Sequence, residues 1–566
     1  MIRLTAPGVS LLASLLDALP GGPTALVPVA FLAAVVIFAI YQLLKPRSER
    51  GRREKLRAAW GKAEITRRRD VAAISSLHEA MREVPAALEL TEDTAADLDL
   101  EQVFVALDRT LTEPGQQALH RLLRRPLFEP QTLQERGRAL RLLQENAAVR
   151  EELQLALMPL GEAAPGTLVP LLTPARPLAL PLPAFAYSML AVSALASLGL
   201  WAIVGAPGLL AVAAAYVVNA AMHYTAERVV TSALPGILSL QRLIAAAQRL
   251  SRSKLPGLEE NQKRLLVELQ SIAALSKALA GVSLPAAADD LAVYVNLFVL
   301  RQVRLLARAA PLLSEHRAQL LALIEEVGML DALQSIASFR QEKAGWCEPQ
   351  LSDEAVAIDA RELRHPLLSE AVPNSILLQG GALITGSNMA GKSTFLRTVG
   401  INSLLAQTIF TCFATRWSGP PLRLATSLRR SDSLLAGRSY YLAEAQGILK
   451  AIRSTELPPK TLCILDEIFR GTNTAERVAA SAEVLRWLAA RGALVLAATH
   501  DDALTTMLEG TYRNFHFGET IEETGMVFDY LLKEGPATTR NAIELLRILG
   551  YPEELVAAAK ANAPAR

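Results

Sequence analysis

In Gly386-Ser387-Asn388-Met389-Ala390-Gly391-Lys392-Ser393-Thr394 spacing dictates the residue types, because the run reads G-x-x-x-x-G-K-[ST]. The apolar residues Ala382-Leu383-Ile384-Thr385 before it read as a buried parallel strand, and Lys392 to Ile409 after it as a helix. Strand, glycine-rich loop and helix in that order turn backbone N–H groups and a helix N-terminus toward a phosphate. Lys392 then reaches the β- and γ-phosphates, and the Ser393 hydroxyl is placed for magnesium.

Two further apolar runs end in the groups such a loop needs. Thr461-Leu462-Cys463-Ile464-Leu465-Asp466-Glu467 reads as a strand closing on adjacent carboxylates. Asp466 suits a magnesium ion, held directly or through its water shell, and Glu467 suits a base that orients or deprotonates an attacking water. Leu494-Val495-Leu496-Ala497-Ala498-Thr499-His500 reads as a third buried strand, with His500 as a contact to the γ-phosphate or the water. Open α/β sheets gather ligands at strand ends. The expectation is therefore an α/β P-loop ATPase domain at the C-terminus, with Glu467 and His500 catalytic, Ser393 and Asp466 on Mg2+, and ATP bound by the phosphate loop.

The 566 residues are enough for several domains. Lys plus Arg number 58 against 56 Asp plus Glu, so bulk charge gives no attraction to nucleic acid and any such affinity needs a local patch. Arg249, Arg252, Lys254, Lys263 and Arg264 form the notable basic cluster and read first as a solvated helix face, second as phosphate contacts. Cys347, Cys412 and Cys463 are far apart in sequence, without metal-ligand or pairing spacing, which fits a reduced, cytosolic ATPase portion.

Ala18 to Leu44 carries no charge and is long enough to cross a bilayer. Lys45, Arg47, Arg50, Arg52, Arg53, Lys55 and Arg57 follow it, which places its C-terminal end on the cytoplasmic side. A cleaved signal peptide is the competing reading, but it would carry its charge before the apolar run. Pro177 to Ala226 is again free of charged side chains and is broken near its middle by Gly205-Ala206-Pro207-Gly208, the pattern of a membrane hairpin. The expected localisation is the inner (plasma) membrane, multi-pass, with the ATPase in the cytoplasm. The expected divisions are 1–45 with a transmembrane helix, 46–176 helical, 177–226 hairpin, 227–350 helical again and 351–566 ATPase. Both helical parts show leucines at three- and four-residue steps, as at Leu119, Leu122 and Leu123.

Several stretches resemble one family. Arg364-His365-Pro366-Leu367-Leu368 with Val372-Pro373-Asn374, the phosphate loop, Ser431-Asp432-Ser433-Leu434 with Gly437-Arg438-Ser439-Tyr440-Tyr441 and Glu444, Asp466-Glu467-Ile468 with Arg470-Gly471-Thr472 and Thr474, and Ala498-Thr499-His500 are similar in order and spacing to MutS-family ATPases. More weakly, Leu107-Asp108-Arg109-Thr110-Leu111-Thr112 with Gly115, and Leu330-Asp331-Ala332-Leu333, resemble the family's lever domain.

The resemblance implies an ABC-type fold behind an all-α lever domain. It implies nucleotide contacts from Asn374, Gly386, Asn388, Met389, Gly391, Lys392, Ser393 and Thr394, with Asn374 on adenine. It also implies that Ser439 caps the γ-phosphate on a second copy, making a homodimer, and that DNA is the ligand, as in mismatch repair. Three departures stand out. Ala371 stands where relatives place an aromatic residue beside adenine, Phe469 replaces a glycine next to the carboxylates, and the mismatch-reading domain with its Phe-x-Glu wedge has no counterpart before residue 100. The reading is a membrane-anchored, DNA-binding MutS-related ATPase. The alternative is a membrane mechanochemical ATPase acting on a protein partner without DNA; an ABC transporter fits less well, because the signature is not L-S-G-G-Q.

Overall fold

The computed structural model describes residues 49–62, 69–82, 88–173, 178, 180–279, 295–387, 390–428, 440–469, 473–522, 525–537, 543, 546–547 and 550–562. The first apolar run at Ala18 to Leu44, and Asn388, Met389 and Ser439, lie outside them. The chain divides into two units, Met1–Trp60 and Gly61–Arg566. Residues 49–59 of the first are helical.

The second unit begins with helices α1 (Val71–Ala80), α2 (Glu92–Asp97), α3 (Leu100–Leu107), α4 (Glu113–Arg124), α5 (Pro130–Glu145), α6 (Ala147–Gly161) and α7 (Leu168–Leu172). Capping residues start several of them: the Asp70 carboxylate accepts from Ala72 N and Ala73 N, and Thr112 Oγ1 accepts from Gly115 N with Pro114 in the first turn. Next come α8 (Ala184–Val204), α9 (Gly208–Arg252), α10 (Glu259–Ser271), α11 (Ala273–Leu279), α12 (Arg301–Glu315) and α13 (Arg317–Glu342).

α13 is the spine of this helical region and packs along α4 and α5. Its Asp331 is fully buried and accepts from Leu111 N (2.9 Å), Thr112 N (2.8 Å), Thr112 Oγ1 (2.6 Å) and Gln334 Nε2 (2.9 Å). A Cβ at Gly115 would lie 2.2 Å from Asp331 Oδ2, so only glycine lets the two helices close there.

α8 and α9 form the expected hairpin, turning through Gly205 (φ +74°), and both are long and apolar enough to cross a membrane. Phe185, Met189, Val192, Ile203, Leu210 and Val217 stand exposed on its surface. The hairpin does not end at Ala226 as a separate element. α9 runs unbroken for 45 residues, from Gly208 to Arg252, well inside the helical domain, because the change at Glu227 is one of polarity and not of backbone propensity. A turn through Pro256 and Gly257 follows it, with Gly257 at φ +89°.

The remainder is α/β. A four-stranded sheet, in order β1 (Gln350–Leu351), β5 (Arg416–Gly419), β2 (Ala357–Leu363) and β3 (Asn374–Gln379), lies beside a six-stranded one. The larger sheet runs β10 (Gly525–Glu534), β9 (Tyr512–Glu522), β4 (Gly381–Thr385), β8 (Leu494–Ala498), β7 (Thr461–Asp466), β6 (Arg423–Ser427). Its pairings are parallel except β9 with β10. β4, β7 and β8 are buried almost throughout, which explains their unbroken apolar runs. Helices α14 (Lys392–Thr408), α15 (Tyr440–Ser454), α16 (Thr474–Ala490) and α17 (Asp502–Met507) connect the strands, and α18 (Glu553–Asn562) follows them.

Two cysteines remote in sequence meet here: Cys347 and Cys412 exchange backbone hydrogen bonds across an isolated antiparallel bridge. Both thiols are free, and burial pushes them up, Cys347 to about 11, so neither is a ready thiolate.

Candidate nucleotide site

The carboxyl ends of β4, β8 and β7, three neighbours in the sheet, converge on one place. After β4 the chain turns through Gly386 (φ +126°) and Gly391 (φ +103°), a backbone that side chains rarely adopt, and α14 starts at Lys392. The Lys392 side chain is buried, and its ammonium donates to the Gly386 carbonyl across the loop. Ser393 Oγ donates to Asp466 Oδ2 at 2.6 Å. Asp466 Oδ1 is buried without a hydrogen-bond partner among the described residues. An orphaned carboxylate oxygen beside a hydroxyl is a hard-oxygen donor set, and it fits Mg2+.

Glu467 follows at φ +54°, with its N–H donating to Ala498 O at 2.9 Å, so the backbone bends sharply where the strand ends. Its carboxylate is buried, and Oε2 lies 3.2 Å from His500 Nδ1. The structure thus brings the two expected catalytic side chains into contact. Phe469 adopts φ +61°, a backbone conformation that favours glycine; its ring packs against the core that α16 forms on the sheet.

Next to the loop lies a cavity of 410 Å³, lined by Gly391, Ser393, Thr394, His365, Ala371 and Asn374 among others. Tyr530 lines it too, a residue that motif reading missed. It sits at φ +53° in a break of register between Phe528 and Leu532, a β-bulge that re-aims its side chain. Asn374 holds that bulge: its Nδ2 donates to Tyr530 O (2.9 Å) and its Oδ1 accepts from Leu532 N (2.7 Å). His365 accepts from Leu367 N, and burial lowers its pKa. Gln407 is structural, bonding both ends of its amide to Leu422.

With the geometry in view, the comparison with known proteins is specific. Residues 382–565 match MutS domain V. The ATPase region is homologous to that domain.

The DNA mismatch repair protein MutS of Thermus aquaticus is 32% identical over 245 residues, 42% of this chain and 29% of that protein. The Aquifex pyrophilus protein is 33% identical over 247 residues, 41% and 28%, and that of Persephonella marina 30% over 244, 41% and 28%. The chain spans under a third of the length of the curated relatives it matches. Homology to MutS domain V implies ATP binding and hydrolysis in general, and use of ATP with Mg2+ is typical of that domain.

Proposed function

We propose that this chain is a membrane-anchored, MutS-type ATPase that closes as a homodimer on ATP and transmits the closure to its helical domain. The observation that carries the reading is the meeting of Lys392, the Ser393–Asp466 pair and the Glu467–His500 pair at three adjacent strand ends beside a cavity of 410 Å³. Gly386, Asn388, Met389, Gly391, Lys392, Ser393 and Thr394 hold the phosphates. Asn374 acts on the base through Tyr530, whose ring supplies the aromatic face that Ala371 lacks.

Ser393 and Asp466 would hold Mg2+, which would supply charge neutralisation to the bound phosphates. Lys392 leaves the Gly386 carbonyl for the β- and γ-oxygens, and Glu467 takes a proton from the attacking water while His500 fixes the carboxylate. Ser439 caps the γ-phosphate of the other copy. Substituting Glu467→Gln keeps the shape and removes the base, so ATP-bound dimer should accumulate in detergent, and Ser439→Arg should prevent it. A Glu467→Gln protein that binds ATP and stays monomeric by mass removes the composite site.

Exposed apolar side chains along both arms of the α8–α9 hairpin support the membrane anchor, with the ATPase cytoplasmic. DNA is the ligand the family implies. A second reading, a protein partner without DNA, draws support from the basic cluster: Arg249 lies 3.9 Å from Glu152, and Lys263 and Arg264 each lie 3.8 Å from Glu260. Duplex binding that weakens steeply with salt supports the first reading, and no binding at low salt supports the second.

A further inference from the structure

α12 packs against both arms of the hairpin near the end where they join the helical domain. Arg308 Nη2 donates to Ser188 Oγ at 3.3 Å, and Ser188 lies four residues into α8, about 6 Å along its axis. Just before α12, the Phe298 carbonyl accepts from the buried Asn219 of α9. These two contacts set α12 at the foot of the hairpin.

Arg301, Arg304 and Arg308 recur at steps of three and four and so share one stripe of α12, while Val303, Leu306, Ala309 and Leu313 are buried on its other side. Arg304 Nε is buried without a hydrogen-bond partner among the described residues. The charge that acts on Arg304 is the neighbouring Arg308, of the same sign. Among the described residues no carboxylate pairs with either. Holding the partly desolvated Arg304 guanidinium beside the like charge of Arg308 without an anion is costly. Phe185 and Met189, on either side of Ser188, are exposed and apolar. The patch therefore offers an anion site and a hydrocarbon surface side by side. A free phosphate uses only the first of these; an acyl chain under a phosphate headgroup uses both.

We propose that Arg304 and Arg308 bind the phosphate headgroup of an anionic phospholipid whose chains lie against Phe185 and Met189 at the foot of the hairpin. The inference rests on the membrane-anchored reading and assigns the anchor a lipid preference. Guanidinium groups suit it, since they meet phosphate oxygens in paired, planar fashion.

The test uses the full-length protein in neutral detergent, titrated with short-chain phosphatidylglycerol, short-chain phosphatidylcholine and inorganic phosphate, with Tm as the readout. Phosphatidylglycerol should raise Tm to saturation, and the other two should not. Arg308→Gln, an exposed position, should weaken the response about fivefold, and Arg304→Gln with Arg308→Gln on the order of twentyfold. Nucleotide affinity should be unchanged in both. An equal response to phosphatidylcholine or to inorganic phosphate overturns the proposal, as does an unaltered titration in the two variants. Alkaline extraction of the membranes separates the underlying reading: protein released into the supernatant removes the anchor itself, whereas retained protein that ignores phosphatidylglycerol removes the lipid site alone.

Discussion

Replacing Asn374 with alanine should weaken nucleotide binding without slowing chemistry. The side chain makes two hydrogen bonds, to Tyr530 O and Leu532 N, that hold the β10 bulge in place. Each is worth about 1 kcal/mol net, so their loss frees the bulge at a cost of about 2 kcal/mol. The nucleotide feels only what passes through the Tyr530 ring, and an aromatic stacking contact contributes about 0.5–1.5 kcal/mol. The dissociation constant for ATP should therefore rise about two- to twelvefold. Lys392, Asp466 and Glu467 are untouched, so kcat at saturating ATP should stay near the parent value. Equilibrium titration with a fluorescent ATP analogue measures the first, and steady-state phosphate release the second. Because Asn374 acts through Tyr530, Asn374→Ala combined with Tyr530→Ala should be no weaker than Tyr530→Ala alone. Additive losses in that cycle would refute the bulge-mediated account, and an unchanged Kd in Tyr530→Ala would refute the assignment of the cavity to the base.

Lys392→Ala should abolish nucleotide binding or hydrolysis in a protein that still folds; unchanged turnover counts against the phosphate loop. Asp331→Ala strands the donors of Leu111, Thr112 and Gln334 in the interior and should cost about 3 kcal/mol or more, read as a fall in the denaturation midpoint. His78 is held neutral by burial, with its pKa lowered from 6.5 to about 4. As pH falls through that window the unfolded chain takes up a proton that the folded chain refuses, so stability is full above 6.5 and declines toward 4. His78→Gln should flatten that part of the stability profile.

The ATPase half was legible because phosphate chemistry constrains residue type and position together. Strand, glycine turn, lysine and hydroxyl cannot be rearranged and still surround an anion, and the buried central strands announce themselves as apolar runs. Tyr530 was not legible. It reaches the cavity through a bulge in an antiparallel edge pair, and nothing within β10 marks a register break. The same holds for Cys347 facing Cys412, a pairing made by the fold and not by spacing. The helical half shows an intermediate case. Asp108 to Gly115 and the residues around Asp331 are each unexceptional when read alone, yet they are one another's hydrogen-bond partners across some 220 positions of chain. α9 runs through the division placed at Ala226, since hydropathy records where a helix meets water and not where it ends.

That continuity has a mechanical side. Beyond Arg228, α9 runs 24 more residues to Arg252, an arm of about 36 Å. On the membrane-anchored reading, the bilayer grips one end of a rod whose other end is built into the helical domain that receives the ATPase stroke. An unbroken lever passes rotation both ways: a 10° tilt at the bilayer sweeps the far end through about 6 Å, by the length of that arm. Pro235, inside the helix and short of its own backbone donor, is where such a rod yields first. On that reading, lipid thickness, lateral pressure or a neighbouring span would become a load on nucleotide turnover, and the anchor would act as a strain gauge as much as a tether.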